Sequence, residues 1–246
     1  MHRNLAIVPA YNEGEAIGST IASIHRWAPD FDVLVVDDGS SDRTSDLAAA
    51  AGATVLRLPY NLGIGGAMQA GYIYAKENDY TVAVQVDGDG QHDPRQIEDL
   101  LKCLEADPDL NMVTGSRFLD EDGDGYRSSA ARRVGIRVFS KVLSTITGQK
   151  VTDPTSGFRL TDQRGIELFA NDYPIDYPEV EAIVLMHTHR LRSREVPVVM
   201  GPRLTGESTI SGAGSVYYMV KVLLAVFVAL FRKRPVREAS PAVETR

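Results

Sequence analysis

Short apolar runs alternate with stretches of helical spacing along the first half of the chain. Leu5 to Val8 and Val33 to Val36 are uninterrupted apolar runs, the pattern of strands buried on both faces. Thr54 to Leu58 and Thr81 to Val86 are further strand segments. Between them Ile17, Ile21 and Ile24 recur at helical intervals. An Ala-rich helix over Asp42 to Ala51 stops at Gly52, and another runs from about Ala67 to Lys76. Asp93-Pro94 supplies an N-cap and a proline at the first helical position, ahead of a stripe of Ile97, Leu100, Leu101 and Leu104. Strands alternating with helices predict an α/β fold, a mostly parallel central sheet with helices on both faces. Ligands of such sheets sit at the carboxyl ends of the strands, so the residues after each run carry the interest.

Those strand ends are polar. They read Pro9-Ala-Tyr-Asn-Glu13, Asp37-Asp-Gly-Ser40, Asn61-Leu-Gly-Ile-Gly-Gly-Ala67 and Asp87-Gly-Asp-Gly-Gln-His92. Any one of the first three is explicable as turn chemistry. Four on one edge of a sheet are more than loops require.

The pattern changes beyond Leu119. Asp120 to Gly125 is acidic and Gly-containing, as in a surface loop. A long helix is expected from about Ser128 to Thr147, with Val134, Val138, Phe139, Val142 and Ile146 on one face. Arg133, Arg137 and Lys141 form a stripe on the other. That stripe reads either as a solvated face or as a basic surface against an anionic membrane. Val216 to Phe231 is apolar apart from Lys221 and is followed by Arg232-Lys-Arg234. It falls short of the roughly 20 residues a bilayer span needs, and reads as a buried or an interfacial helix. The expected division is a main domain over 1–210, an apolar and basic membrane-proximal helix over 211–234, and an unstructured tail over 235–246.

Composition narrows the classes. With 43% hydrophobic and 24% charged residues in 246, this is an ordinary globular chain. Its 26 Lys+Arg against 33 Asp+Glu give a net charge of −7, which argues against nucleic acid as a partner. The single cysteine, Cys103, excludes a disulfide framework and fits a reducing compartment. No apolar core of signal-peptide length precedes Pro9, so a cytoplasmic location is expected.

Asp87-Gly-Asp89 carries the most specific chemistry. Two carboxylates two residues apart, with Gln91 beside them, can hold Mg²⁺ or Mn²⁺ while leaving room for substrate oxygens. A cation so placed would draw off the charge of a departing diphosphate. An EF-hand is excluded by the strand before it and by His92 at the glycine position. A zinc site lacks further His or Cys at ligand spacing, and the glycines from Gly63 follow the third strand segment rather than the first, unlike a dinucleotide loop.

These segments, followed by Gly115-Ser-Arg117 and Asp153-Pro-Thr-Ser-Gly-Phe-Arg159, occur in the order seen in family 2 glycosyltransferases. Over Leu5 to Ser208 the chain most resembles the dolichol- and polyprenyl-phosphate mannose synthases. The resemblance implies the GT-A fold and transfer of a hexose from a nucleotide-diphosphate sugar to a polyprenyl phosphate. It implies that Pro9, Tyr11, Glu13, Val36 and Asp38 hold the base and ribose. Asp87, Gly88 and Asp89 would meet the donor, with Mg²⁺ or Mn²⁺ on Asp87, Asp89 and Gln91. Arg117 and Arg203 would contact phosphates, Asp89 and Arg117 being the catalytic pair, while Arg133 and Ser208 would face the acceptor phosphate.

A lipid phosphate is already ionised at neutral pH, so its attack opposite the diphosphate inverts configuration without a general base. Positioning two anions calls for a metal and arginines. A saccharide hydroxyl would need a base, for which Glu179 or Glu181 is available; both also read as an N-terminal charge pair on a helix after Pro178. A non-catalytic sugar-nucleotide-binding subunit is the reading from another class. Thr209 stands where the mannose synthases often carry Lys, which weakens the case for GDP-mannose. Many relatives continue into transmembrane helices. Here attachment is expected at the inner membrane face, through the apolar helix or a small membrane protein.

Overall fold

The computed structural model describes residues 3–119, 130–201, 221 and 224, with 130–134 as backbone only. Its strands are β1 (Asn4–Ala10), β2 (Phe31–Asp37), β3 (Thr54–Arg57), β4 (Val82–Gln85), β5 (Leu110–Ser116), β6 (Arg159–Asp162) and β7 (Arg192–Pro197). Interleaved are α1 (Ile17–Trp27), α2 (Thr44–Ala50), α3 (Gly63–Glu77), α4 (Ile97–Glu105), α5 (Ala130–Thr147), α6 (Gln163–Asn171) and α7 (Pro178–Thr188). A 3₁₀ turn over Pro94–Gln96 leads into α4, capped by the Asp93 carboxylate, which accepts from the Arg95 amide.

One seven-stranded sheet runs in the order β3-β2-β1-β4-β6-β5-β7. All pairings are parallel except those of β6, which lies antiparallel between β4 and β5. The continuous apolar runs are the central strands, and the period of two divides their side chains between the faces. Leu5, Ile7, Leu34 and Val36 pack with Met68, Tyr72, Leu143 and Phe169. Ala6, Val8, Val33 and Val35 pack on the other face with Ile17, Ile21, Ile24 and Leu100. After β3 at one edge, the chain crosses to place β4 on the far side of β1. This reversal of strand order opens a crevice at the carboxyl ends of β1 and β4.

Two expectations change. The third helix starts at Gly63 rather than near Ala67, because the Asp38 carboxylate accepts from the Leu62 and Gly63 amides at 2.7 and 2.8 Å and satisfies the first turn. The glycines from Gly63 to Gly66 therefore lie in a helix. At Gly65 a Cβ would come within 2.5 Å of Ile175 Cα, so only glycine allows this approach. On α5 the buried stripe is Ile136, Phe139, Leu143 and Thr147, whereas Val138 is exposed. Phe139 is buried as expected and Ile146 packs partly against the core, while Ile136 and Leu143 rather than Val138 complete the buried face. Arg137 and Lys141 are exposed as expected.

The Asp120 to Gly125 stretch lies outside the described residues, as does the 202–246 segment except Lys221 and Leu224, which are helical and exposed. Among the described residues, no helix is long and apolar enough to cross a membrane.

Candidate active site

Two strand-end loops interlock beside the crevice. Asn12, with φ of 55°, turns the loop after β1 so that its amide donates to Ser40 Oγ at 2.9 Å. Its side-chain oxygen accepts from the Ser41 amide at 2.9 Å. The Glu13 amide donates to Thr44 Oγ1 and the Gly14 amide to Asp42 Oδ2, each at 3.0 Å. Pro9 is buried, Glu13 half-buried and Tyr11 exposed at the mouth. Val36 is wholly buried in the core and offers no side-chain surface to a nucleoside. The buried Asp38 carboxylate serves as the cap of α3.

The loop after β4 is pressed against these. A Cβ on Gly88 would lie 3.2 Å from the Pro9 carbonyl oxygen, and the Gly88 carbonyl accepts from Thr20 Oγ1 at 3.2 Å. Asp89 is buried, and its oxygens accept from the Gln91 amide at 3.0 Å and from Gln91 Nε2 at 2.5 Å. The Asp87 side chain remains 33% exposed, open toward solvent. Its Oδ1 accepts from Gln85 Nε2 at 3.0 Å, and its amide donates to His92 Nδ1 at 3.0 Å. The imidazole proton therefore sits on Nε2, 3.5 Å from Asp87 Oδ2. His92 is buried and stacked on Phe158 with ring centroids 4.8 Å apart.

Asp87, Asp89 and Gln91 thus lie together on one loop, as the sequence spacing expects. Among the described residues no group of three or more His, Cys, Asp and Glu converges. A cation here would rest on two carboxylates, an amide oxygen and substrate oxygens. An all-oxygen set with few protein ligands suits Mg²⁺ or Mn²⁺.

Arg117 is built into the protein rather than projecting from it. At the end of β5, its Nε and Nη2 donate to Asp153 Oδ2 and Oδ1 at 2.6 and 2.8 Å, and Nη2 also reaches Thr155 Oγ1 at 2.9 Å. Glu195 on β7 fixes that loop in turn, accepting from the Thr152 and Asp153 amides and from Thr152 Oγ1. Beyond β7, the Val199 amide and carbonyl pair with the Gln96 side chain, and the Gly201 amide donates to the Gln91 carbonyl at 2.9 Å. The segment after β7 thus packs, at Gly201, against the loop after β4. Arg203 and Ser208 follow outside the described residues, as does the Arg133 side chain.

The structure gives roles to groups that the sequence had left without one. Gln85, Gly157 and Phe158 surround Asp87 and His92. Arg159 is buried, donating through Nε to the Ser156 carbonyl at 2.9 Å and through Nη2 to the Glu179 carbonyl. Its Nη1 has no hydrogen-bond partner among the described residues. Glu179 and Glu181 do stand in the first turn of α7, but Glu179 does more than cap it. Burial pushes its carboxyl above the usual range, against its own amide and Arg159, and Asp87 reinforces the rise. The buried Tyr72 hydroxyl is pushed up to about 12 by burial despite Arg159. A polar residue within the apolar run Thr81 to Val86 was the available signal for Gln85. Glu195 had none.

A family model described as glycosyl transferase family 2 matches residues 5–169. The chain is 33% identical over 225 residues to an undecaprenyl-phosphate mannosyltransferase of Micrococcus luteus, covering 85% of this chain and 88% of that protein. It is 30% identical over 233 residues to a polyprenol monophosphomannose synthase of Mycolicibacterium smegmatis, covering 89% and 85%. Among solved structures it superposes on glucosyl-3-phosphoglycerate synthase from Mycobacterium tuberculosis, in complex with Mn²⁺, uridine diphosphate and glucosyl-3-phosphoglycerate. The TM-score is 0.70 at 21% identity, with 93% of this chain and 80% of that one covered.

Proposed function

Because the chain belongs to glycosyl transferase family 2 and carries the GT-A fold, we propose that it moves a hexose from a nucleotide-diphosphate sugar to a polyprenyl phosphate, with inversion, assisted by a divalent cation. It is a glycosyltransferase, and the reading as a non-catalytic subunit is set aside. The observation that carries the proposal is the placement of Asp87 and Asp89 at the end of β4, against the interlocked loops after β1 and β2. Relatives named for undecaprenyl-phosphate and polyprenol acceptors support the lipid phosphate, and the Mn²⁺ of the solved neighbour supports the cation.

The chain's own residues divide the work. Tyr11 and Glu13 border the place for the nucleoside, on loops held by Asn12, Ser40 and Thr44. Asp87, Asp89 and Gln91 would hold Mg²⁺ or Mn²⁺, which when bound supplies positive charge against the departing diphosphate. Gly88, lacking a side chain, keeps the loop close to Pro9. The acceptor phosphate is ionised at neutral pH and attacks the anomeric carbon from the face opposite the diphosphate, so no protein group removes a proton. The task is orientation of two anions, for which Arg203 and Ser208 are assigned as phosphate contacts from the sequence. Membrane contact is assigned to the apolar run Val216 to Phe231 and the basic residues after it.

The test is incubation with Mn²⁺ and radiolabelled UDP- and GDP-sugars, with and without polyprenyl phosphate. Label extracted into butanol only when the lipid is present is the expected result. Label confined to polysaccharide would overturn the acceptor. Transfer to a saccharide hydroxyl is the second reading, favoured by the raised carboxyl of Glu179 near Asp87.

A further inference from the structure

Asp87 is the more exposed of the two carboxylates and the one whose orientation needs outside support. Asp89 is enclosed by its own loop through Gln91. Asp87 projects into a partly open space, where an unrestrained side chain samples several rotamers. A cation site built from such a side chain loses affinity to the entropy of fixing it.

One side chain supplies that restraint from the strand itself. Gln85 is the last residue of β4 and lies two residues before Asp87, at the start of the loop. Gln85 is 3% exposed, and its Nε2 donates to Asp87 Oδ1 at 3.0 Å. A carboxylate oxygen has two lone pairs, so this bond fixes the group without exhausting its capacity to bind a cation.

Space for that amide comes from a distant part of the chain. A Cβ at Gly157 would lie 2.7 Å from Gln85 Nε2, 3.5 Å from Gln85 Cδ and 3.5 Å from Asp87 Oδ1. No side chain fits there while Gln85 keeps its position. Among the described residues, the only contact shorter than ordinary van der Waals distance is with the end of the flexible Gln85 side chain. A methyl group would therefore displace the amide rather than break the fold. The next residue, Phe158, stacks on His92, which accepts from the Asp87 amide, so the same loop also braces the backbone of Asp87.

We propose that Gln85 is a positioning residue that holds Asp87 for a divalent cation, and that Gly157 is glycine to leave room for the Gln85 amide. This rests on the cation role proposed above. It makes the loop from Asp153 to Phe158 the bed on which the metal loop is aligned.

The experiment measures Mn²⁺ affinity of the whole chain by water-proton relaxation enhancement, in the presence of UDP and in parallel GDP. Gln85→Leu and Gly157→Ala should each weaken Mn²⁺ about tenfold to a hundredfold, the range for lost outer-shell partners. The double variant should be no weaker than Gln85→Leu, because leucine ends near Gln85 Cδ and leaves nothing for the new methyl group to displace. General disruption of the loop would instead give additive losses, and additivity overturns the proposal. Unchanged affinity in Gln85→Leu, with wild type binding Mn²⁺ and Asp89→Ala not, overturns it while leaving the cation role intact. Absence of Mn²⁺ binding by wild type with both nucleotides overturns the cation role and this inference together. Thermal melts of each variant identify any that do not fold, and Gly157→Ala provides a second route to the same lost hydrogen bond.

Discussion

Arg117 and Asp153 form a two-pronged ion pair, at 2.6 and 2.8 Å, in which the Asp153 side chain is fully buried and that of Arg117 is 7% exposed. Asp153 Oδ2 also accepts from the Arg117 amide at 3.1 Å, so carboxylate and arginine are fixed together. An arginine in this state brings less net charge to a phosphate than a free one, because its counter-ion is already in place. Asp153→Ala should destabilise the protein by about 3–5 kcal/mol, since it strands a buried guanidinium. Urea denaturation checks this, and a change smaller than about 1 kcal/mol, the range of an exposed pair, would show the pair to be dispensable.

Asp89→Ala should reduce turnover about 100-fold or more, on the scale of losing one element of preorganised charge stabilisation. Steady-state rates over a Mn²⁺ titration provide the check. Activity close to wild type would remove the metal-assisted reading.

Glu179 separates the two acceptors. With a phosphate acceptor, Glu179→Gln should leave kcat within about threefold of wild type; with a hydroxyl acceptor, loss of a general base costs about 100-fold or more. A pH signature accompanies it. Folding raises this carboxyl above its ordinary 4.5, so the folded state holds the proton more tightly than the unfolded state. Its contribution to stability is fully present below 4.5 and declines as pH rises through the raised value. The Gln variant lacks that decline, so it should gain stability relative to wild type as pH increases across this window. Parallel denaturation curves at several pH values would show otherwise if the two proteins kept a constant difference.

Deleting residues 216–246 should release the protein from anionic vesicles and leave donor binding unchanged. Sedimentation with vesicles decides the point. A truncated chain that still pellets with them places the contact elsewhere, with the exposed Arg137 and Lys141 of α5 next to be tested.

Much of the first half was legible because its central strands β1 and β2 are buried on both sides, and strands covered by helices on either face read as near-continuous apolar runs, as Leu5 to Val8 does. The four polar strand ends do converge at one edge. The second half hid its strands behind polar residues that are satisfied internally. Asn111 in β5 is buried because its amide donates to Asp162 at 2.8 Å and its oxygen accepts from the Arg192 amide at 3.0 Å. No period of apolar residues reveals such a strand. β6 begins with a buried arginine, and β7, at the sheet edge, carries Arg192, Arg194 and Glu195 among its six residues. Asp38 looked like a ligand and is also a helix cap, a role that depends on a helix 24 residues away in sequence.

The insertion of β6 between β4 and β5 has a consequence for the newborn chain. β4 and β5 leave the ribosome before the strand that must come between them, so they cannot complete their side of the sheet as neighbours. Until about residue 162 has been made, β4 keeps one open edge, and Phe158 is not yet there for His92 to rest upon. The half that carries the acidic loop is therefore synthesised early but finished late. A nascent protein halted before that point would be an aggregation hazard rather than a smaller enzyme.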